Sequence, residues 1–146
     1  MLLIRPEIPA DVTAIRHVVH HAFGRAAEAD LVDALRRNGK TTLSMVAEDN
    51  GRVVGHILFS PVVIETSEGI VFGVGLAPLA VWPERQTEGI GSILVERGLI
   101  ECRRAGHRFV IVLCHPEYYP RFGFFPASRF NIKSEYDVRD EAFMAL

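Results

Sequence analysis

Little in this chain is present in excess, and each shortage removes a class of protein. Two cysteines, Cys102 and Cys114, in 146 residues cannot frame a disulfide scaffold. With no secretory leader pattern either, reduced thiols in a cytoplasmic protein are expected. Lysine and arginine (16) nearly balance aspartate and glutamate (18), for a formal charge of −2. The chain therefore has no basic footprint, and nucleic acid is not an expected partner. No apolar run approaches the roughly 20 residues that span a bilayer, so no membrane partner is expected. Internal repeats, low-complexity tracts and Pro/Gly/Ser-rich linkers are missing too, so one domain over residues 1–146 is expected. What is plentiful is apolar side chains, 49% of the total, enough for a sizeable core at this length.

Periodicity and turn chemistry divide the chain. Leu2–Arg5 reads as a short strand, and Asp11–Phe23 as a helix with Val12, Ile15, Val18, Val19 and Phe23 at 3.6-residue spacing. A second helix covers Ala26–Asn38, closed by Gly39. Strands at Thr42–Glu48 and Arg52–Glu65 are joined through Asn50-Gly51, a strong hairpin signal. A further strand runs from Ile70 to Trp82, a helix from Gly89 to Ala105, and a strand from Arg108 to Leu113. Pro116–Phe122 reads as a short helical turn, with edge strands at 129–134 and 141–146. Helices and strands alternate around hairpins, which predicts a mixed, mostly antiparallel α/β sheet.

The most informative stretch is Val81-Trp-Pro-Glu-Arg-Gln-Thr-Glu-Gly-Ile-Gly-Ser92, where a strand ends and a glycine turn opens a helix. The first amides of a helix lack intrahelical partners and sit in positive potential. Glycines bring no Cβ to keep a ligand's oxygens away from them, so a pyrophosphate is the expected guest. Two better-known phosphate motifs fail on spacing. Gly73-x-Gly75 meets Pro78, and Gly89-x-Gly91 meets Leu94, where a dinucleotide fingerprint needs its third glycine. No Gly-Lys-Ser/Thr follows either glycine pair, which excludes a P-loop.

Downstream, His115-Pro-Glu-Tyr-Tyr-Pro-Arg-Phe-Gly-Phe124 follows a buried-strand pattern at Phe109–Leu113. Together the two motifs resemble the GNAT superfamily of acetyl-CoA-dependent N-acetyltransferases, in its YhbS-like branch. The matching positions are Val81, Pro83, Gln86, Gly89 and Gly91, then Tyr119, Gly123 and Phe124. Residues 4–11 and 53–62 are similar to the family's opening segment and third strand, so the resemblance covers the whole chain. It implies a mixed central sheet flanked by helices, with a splayed strand pair forming the cofactor cleft and acetyl-CoA as co-substrate. Leu79, Ala80 and Val81 would meet the pantetheine arm through main-chain groups. The amides of Thr87, Glu88, Gly89, Ile90, Gly91 and Ser92 would hold the pyrophosphate, with Gln86 in the motif and Arg85 as the nearby cation. Thr87 and Glu88 stand in a turn where relatives often carry Arg, Lys or Gly, and the Glu88 carboxylate is expected to point outward. Tyr119 would face the sulfur. With a reference pKa of about 10 it stays protonated and can act as general acid.

Other residues carry less. Glu48, Glu65, Glu68, His56, His115 or a water chain are all open as the general base, and His56 also reads as a core histidine. His17, His20 and His21 share one helix face, but the intervening Glu and third ligand of a zinc site are missing. No metal is expected. Ser60 has no nucleophile-elbow context. Cys114 reads as a structural thiol, because adjacent strand residues such as Cys114 and His115 point to opposite faces. The expected function is direct acetyl transfer to a primary amine of a small molecule or peptide. A non-catalytic acyl-CoA sensor is the alternative. A strand such as 129–134 can pair with a second chain, so a homodimer is also open.

Overall fold

The computed structural model describes residues 1–113, 118–134 and 143–146. Strand β1 (Leu2–Pro6) is followed by a 3-10 turn at Pro9–Asp11, helix α1 (Val12–Phe23) and helix α2 (Ala27–Arg37). Strands β2 (Leu43–Asp49), β3 (Arg52–Thr66) and β4 (Gly69–Val81) form a meander. A 3-10 segment at Pro83–Glu88 then leads into α3 (Ile90–Arg104). Strand β5 (Val110–Leu113), 3-10 segments at Tyr119–Phe122 and Ala127–Phe130, and short strands β6 (Phe125–Pro126) and β7 (Phe143–Ala145) complete the described chain.

The seven strands form one sheet in the order β1-β2-β3-β4-β5-β7-β6. Every pairing is antiparallel except β4 with β5. The expected mixed, mostly antiparallel sheet flanked by helices is the architecture observed. The central strands read as nearly continuous apolar runs because both of their faces are covered. Met45, Ala47, Ile57, Phe59 and Val81 join Ile90, Leu94 and Val95 of α3 on one face. Val46, Leu58 and Ala80, one residue out of step, join Ile15, Val18, Val19, Ala29 and Val32 of α1 and α2 on the other. In α3 the inward residues Ile90, Leu94, Val95, Gly98 and Cys102 follow helical spacing. Gly98 lets the helix lie close to the sheet, since a Cβ there would come within 2.6 Å of the Phe59 ring.

Two expectations are corrected. Residues 129–134 do not form a strand. Ala127–Phe130 is a 3-10 turn closed by Asn131 at φ 58°, with the Asn131 amide donating to the Ser128 carbonyl (3.0 Å) and the Ile132 amide to that of Ala127 (3.1 Å). The C-terminal strand is also not an edge: β7 lies between β5 and β6, with Ile111 opposite Ala145 and Phe125 opposite the same residue on the other side. Of the expected turn at 116–122, residues 116 and 117 lie outside the described residues, as do 141 and 142 of the last expected strand.

Candidate functional site

The site begins where β4 parts from β5. Their parallel ladder lasts three residues, from Val74 opposite Val110 to Leu76 opposite Val112. At that point the β3–β4 register shifts, so that the step from Leu79 to Leu76 on β4 faces only Ile57 to Phe59 on β3. The additional residue bends β4, and Pro78 within the bulge has no N–H to offer a neighbour. Beyond it, Leu79, Ala80 and Val81 remain paired to β3 and have no ladder partner on the β5 side among the described residues. This is the splayed pair expected from the sequence. Leu79 and Val81 line the resulting cleft, whereas the Ala80 side chain is buried on the opposite face against the α1–α2 layer.

The turn after β4 closes the cleft's end. Gln86 donates from Nε2 to the Val81 carbonyl (3.2 Å), tying the 3-10 segment back to the strand. Gly89 takes φ 82° and starts α3 with no side-chain cap, so among the described residues no side chain caps the first helical amides. Gln86, Thr87, Gly89, Gly91 and Ser92 line the cleft. Ile90 turns inward to the core. Arg85 and Glu88 face one another: Arg85 Nε lies 2.8 and 2.7 Å from the two Glu88 oxygens, and Nη2 lies 3.0 Å from Asp49. The Arg85 guanidinium is therefore engaged on both sides by carboxylates. Those partners raise its pKa further, Glu88 contributing most.

Tyr118 and Arg121 form the facing wall of this cleft of about 410 Å³. The Tyr118 hydroxyl is 3.2 Å from Ser92 Oγ, and the Arg121 guanidinium stacks 4.6 Å above the Tyr118 ring. A Cβ on Gly91 would come within 3.2 Å of the same hydroxyl. Tyr119 is only 4% exposed; its ring meets Tyr118 edge-on at 5.2 Å and Phe124 at 5.6 Å. Arg121 was missed from sequence. The available signal was its i, i+3 relation to Tyr118 on a predicted helical turn, which places the two on one side.

The remaining titratable groups lie elsewhere. His56 is fully buried between the sheet and the α1–α2 layer, its Nε2 2.8 Å from Ser44 Oγ. Burial pushes its pKa down to about 3, with nearby Arg36 adding to the shift and Asp11 opposing it. Glu48 receives Arg5 at 2.9 Å. Glu65 and Glu68 are exposed at the far end of the β3–β4 hairpin. Burial raises the Cys102 thiol to about 11, so it stays protonated. His17, His20 and His21 are exposed, with the His21 ring 4.5 Å from that of Trp82. Among the described residues no group of three metal-ligating side chains occurs. Cys114 and His115 lie outside the described residues.

Among the described residues, the β4 edge at Leu79–Val81 has no ladder partner on the β5 side, and it borders a cleft that reaches the start of α3. The sequence pattern of the acetyltransferase (GNAT) domain matches residues 4–127, so the chain belongs to this family. It is an acyltransferase, and the family's acyl donor is acetyl-CoA. The cleft fits that donor, because the amides at the start of α3 have no capping side chain and Gly91 keeps the approach to them open.

Individual relatives agree. The chain is 37% identical to the uncharacterized N-acetyltransferase YhbS of Escherichia coli K12 over 143 residues, covering 97% of this chain and 84% of YhbS. It is 40% identical to the uncharacterized N-acetyltransferase YjhQ of the same organism over 121 residues, 82% of this chain and 67% of YjhQ. Among solved structures, E. coli YhbS in complex with CoA superposes with a TM-score of 0.91 at 36% identity, covering 99% of this chain and 79% of that one. A GNAT family acetyltransferase from Brucella melitensis in complex with acetyl-CoA gives 0.82 at 40% identity, covering 100% and 87%.

Proposed function

We propose that this protein, acting as one domain over residues 1–146, moves the acetyl group of acetyl-CoA directly to a primary amine of a small molecule or peptide. The observation that carries this reading is the continuity of the cleft. Leu79 and Val81 of β4 and Gly89, Gly91 and Ser92 at the start of α3 border one cleft. Main-chain groups of Leu79, Ala80 and Val81 meet the amides of the pantetheine arm. The amides of Thr87 through Ser92, Glu88 and Ile90 included, lie against the diphosphate, with Gln86 holding the turn in place. Orientation of donor and acceptor supplies much of the rate in such a transfer.

In the transfer step the neutral amine nitrogen bonds to the acetyl carbonyl carbon and gives up one proton to a water chain, the carbon–sulfur bond breaks, and the departing thiolate takes a proton. Tyr119 is assigned that proton, because it holds the tyrosine position of the Tyr-x-x-x-Gly-Phe pattern. A covalent acyl-enzyme is not part of the reaction. Cys102 is buried and protonated, and a thiol in that state is a poor nucleophile. A cytoplasmic location and a homodimer belong to the same reading. With 129–134 in a turn, that segment offers no strand to a second chain; among the described residues β1 and β6 are the strands at the two ends of the sheet. Sedimentation at twice 16.3 kDa supports the homodimer, and a single species at 16.3 kDa overturns it.

The test is a panel of amines with acetyl-CoA, followed by release of free CoA and by the mass of the product. Turnover with sequential kinetics and no acetylated enzyme is expected, and binding of acetyl-CoA without turnover on any amine would instead indicate a sensor. Tyr119→Phe should lower kcat by about a hundredfold or more while leaving the affinity for CoA unchanged. Tyr118 favours a second reading, since its hydroxyl faces the cleft. If Tyr118→Phe loses kcat and Tyr119→Phe does not, the proton comes from Tyr118.

A further inference from the structure

Among the described residues, the α3 side of the cleft offers no unpaired cation to a diphosphate. Each phosphate of the ligand carries negative charge, and a helix start offers only about half a positive charge. The turn's own arginine is already engaged: Arg85 holds Glu88 at 2.7 Å and Asp49 at 3.0 Å. Glu88, beside the helix start, would repel phosphate if Arg85 left it. A cation must therefore come from the facing wall. Arg121 is exposed there, and among the described residues it makes no ion pair.

We propose that Arg121 supplies the positive charge for the diphosphate of coenzyme A, with Tyr118 as the residue that positions it. The inference rests on reading the cleft as the acetyl-CoA site. Arg121 and the amides of Gly89, Gly91 and Ser92 border one volume, so a phosphate seated on the amides lies opposite the guanidinium. Tyr118 is itself held in place, by Ser92 Oγ at its hydroxyl (3.2 Å) and by the edge-on Phe122 ring at 5.2 Å. Its ring then carries the guanidinium in a stack at 4.6 Å. A planar guanidinium can stack on an aromatic face and still present a fork of N–H donors to phosphate oxygens, which an ammonium cannot do. The grip thus spans the cleft, with neutral donors on the α3 side and the charge on the far wall.

The experiment is calorimetric titration of the full chain with CoA and with dephospho-CoA, which keeps the diphosphate and lacks the 3′-phosphate. Arg121→Gln should weaken both ligands alike, by about tenfold to a hundredfold, the range of one hydrogen bond to a charged group. Arg121→Lys should recover only part of that loss. Tyr118→Leu should weaken CoA in the native background and have no further effect on an Arg121→Gln background. The melting temperature of each ligand-free variant reports whether the fold is intact. Unchanged affinity of Arg121→Gln for CoA overturns the proposal. A loss seen with CoA and not with dephospho-CoA overturns it too, since it moves Arg121 to the 3′-phosphate. If the native chain binds neither ligand, the acetyl-CoA reading itself fails, a distinct result.

Discussion

His56 couples the core of this protein to pH. It is fully buried in β3, and its Nδ1 finds no partner among the described residues. Burial and the charge of Arg36 outweigh the attraction of Asp11, leaving a folded pKa of about 3 against 6.5 in an unfolded chain. Between those values the unfolded chain binds a proton that the folded one refuses, so stability rises with pH and is lost on acidification. The slope approaches 1.4 kcal/mol per pH unit below pH 6.5. Urea unfolding at pH 7.5 and pH 5 should therefore differ by about 2 kcal/mol. His56→Gln should remove most of this difference while lowering stability at pH 7.5. An unchanged difference would place the pH dependence elsewhere. The sequence raised the core reading of His56 beside that of a catalytic base; a strand covered on both faces decides between them.

Among the elements, the clip between the end of β2 and the turn after β4 governs the charge at the cleft. Asp49, Arg85 and Glu88 meet there, with the N-terminal amine 3.1 Å from Asp49. Arg85 is 27% and Glu88 45% exposed, and such pairs contribute only about 0.2–1 kcal/mol to stability. In the proposed reading their larger effect is on ligand affinity, because Arg85 neutralises the Glu88 carboxylate beside the start of α3. Arg85→Gln should thus weaken CoA several-fold with little change in melting temperature, and adding Glu88→Gln should restore the affinity. If the second substitution restores nothing, Arg85 touches the phosphate itself, as the motif alone suggested. Most elements were legible because their signals are local. Asn50-Gly51 fixed the hairpin, and 3.6-residue spacing fixed α1 and α3. Residues 129–134 misled, since Arg-Phe-Asn-Ile-Lys-Ser alternates like a strand, yet Asn131 in the left-handed region ends a 3-10 turn and local turn chemistry prevailed. Phe125–Pro126 escaped notice because two residues, one of them proline, carry no period.

Over the whole molecule, the cleft joins residues far apart in the chain, and this is what a sequence reading reaches least. That the turn at 86–92 opens a helix was legible from its glycines and from helix physics alone. That Tyr118 and Arg121 face it depends on the parallel pairing of β4 with β5 and on where the ladder stops, neither of which any local pattern encodes. The position of β7 between β5 and β6 is likewise a fact of chain return rather than of composition. A ligand that touches β4, the start of α3 and the Tyr118–Arg121 segment at once is held only while all three are in place. Acetyl-CoA should therefore stabilise the native state as a unit. At a free concentration a hundred times its Kd the gain is about 2.7 kcal/mol, which for a chain near 150 residues raises the melting temperature by roughly 5–10 °C. The shift should grow with the logarithm of ligand concentration and shrink for Arg121→Gln at the same concentration. Pantetheine, which reaches β4 and lacks the phosphates, should give the smallest shift of all. Equal shifts from pantetheine and CoA would mean that the start of α3 contributes nothing to holding the ligand.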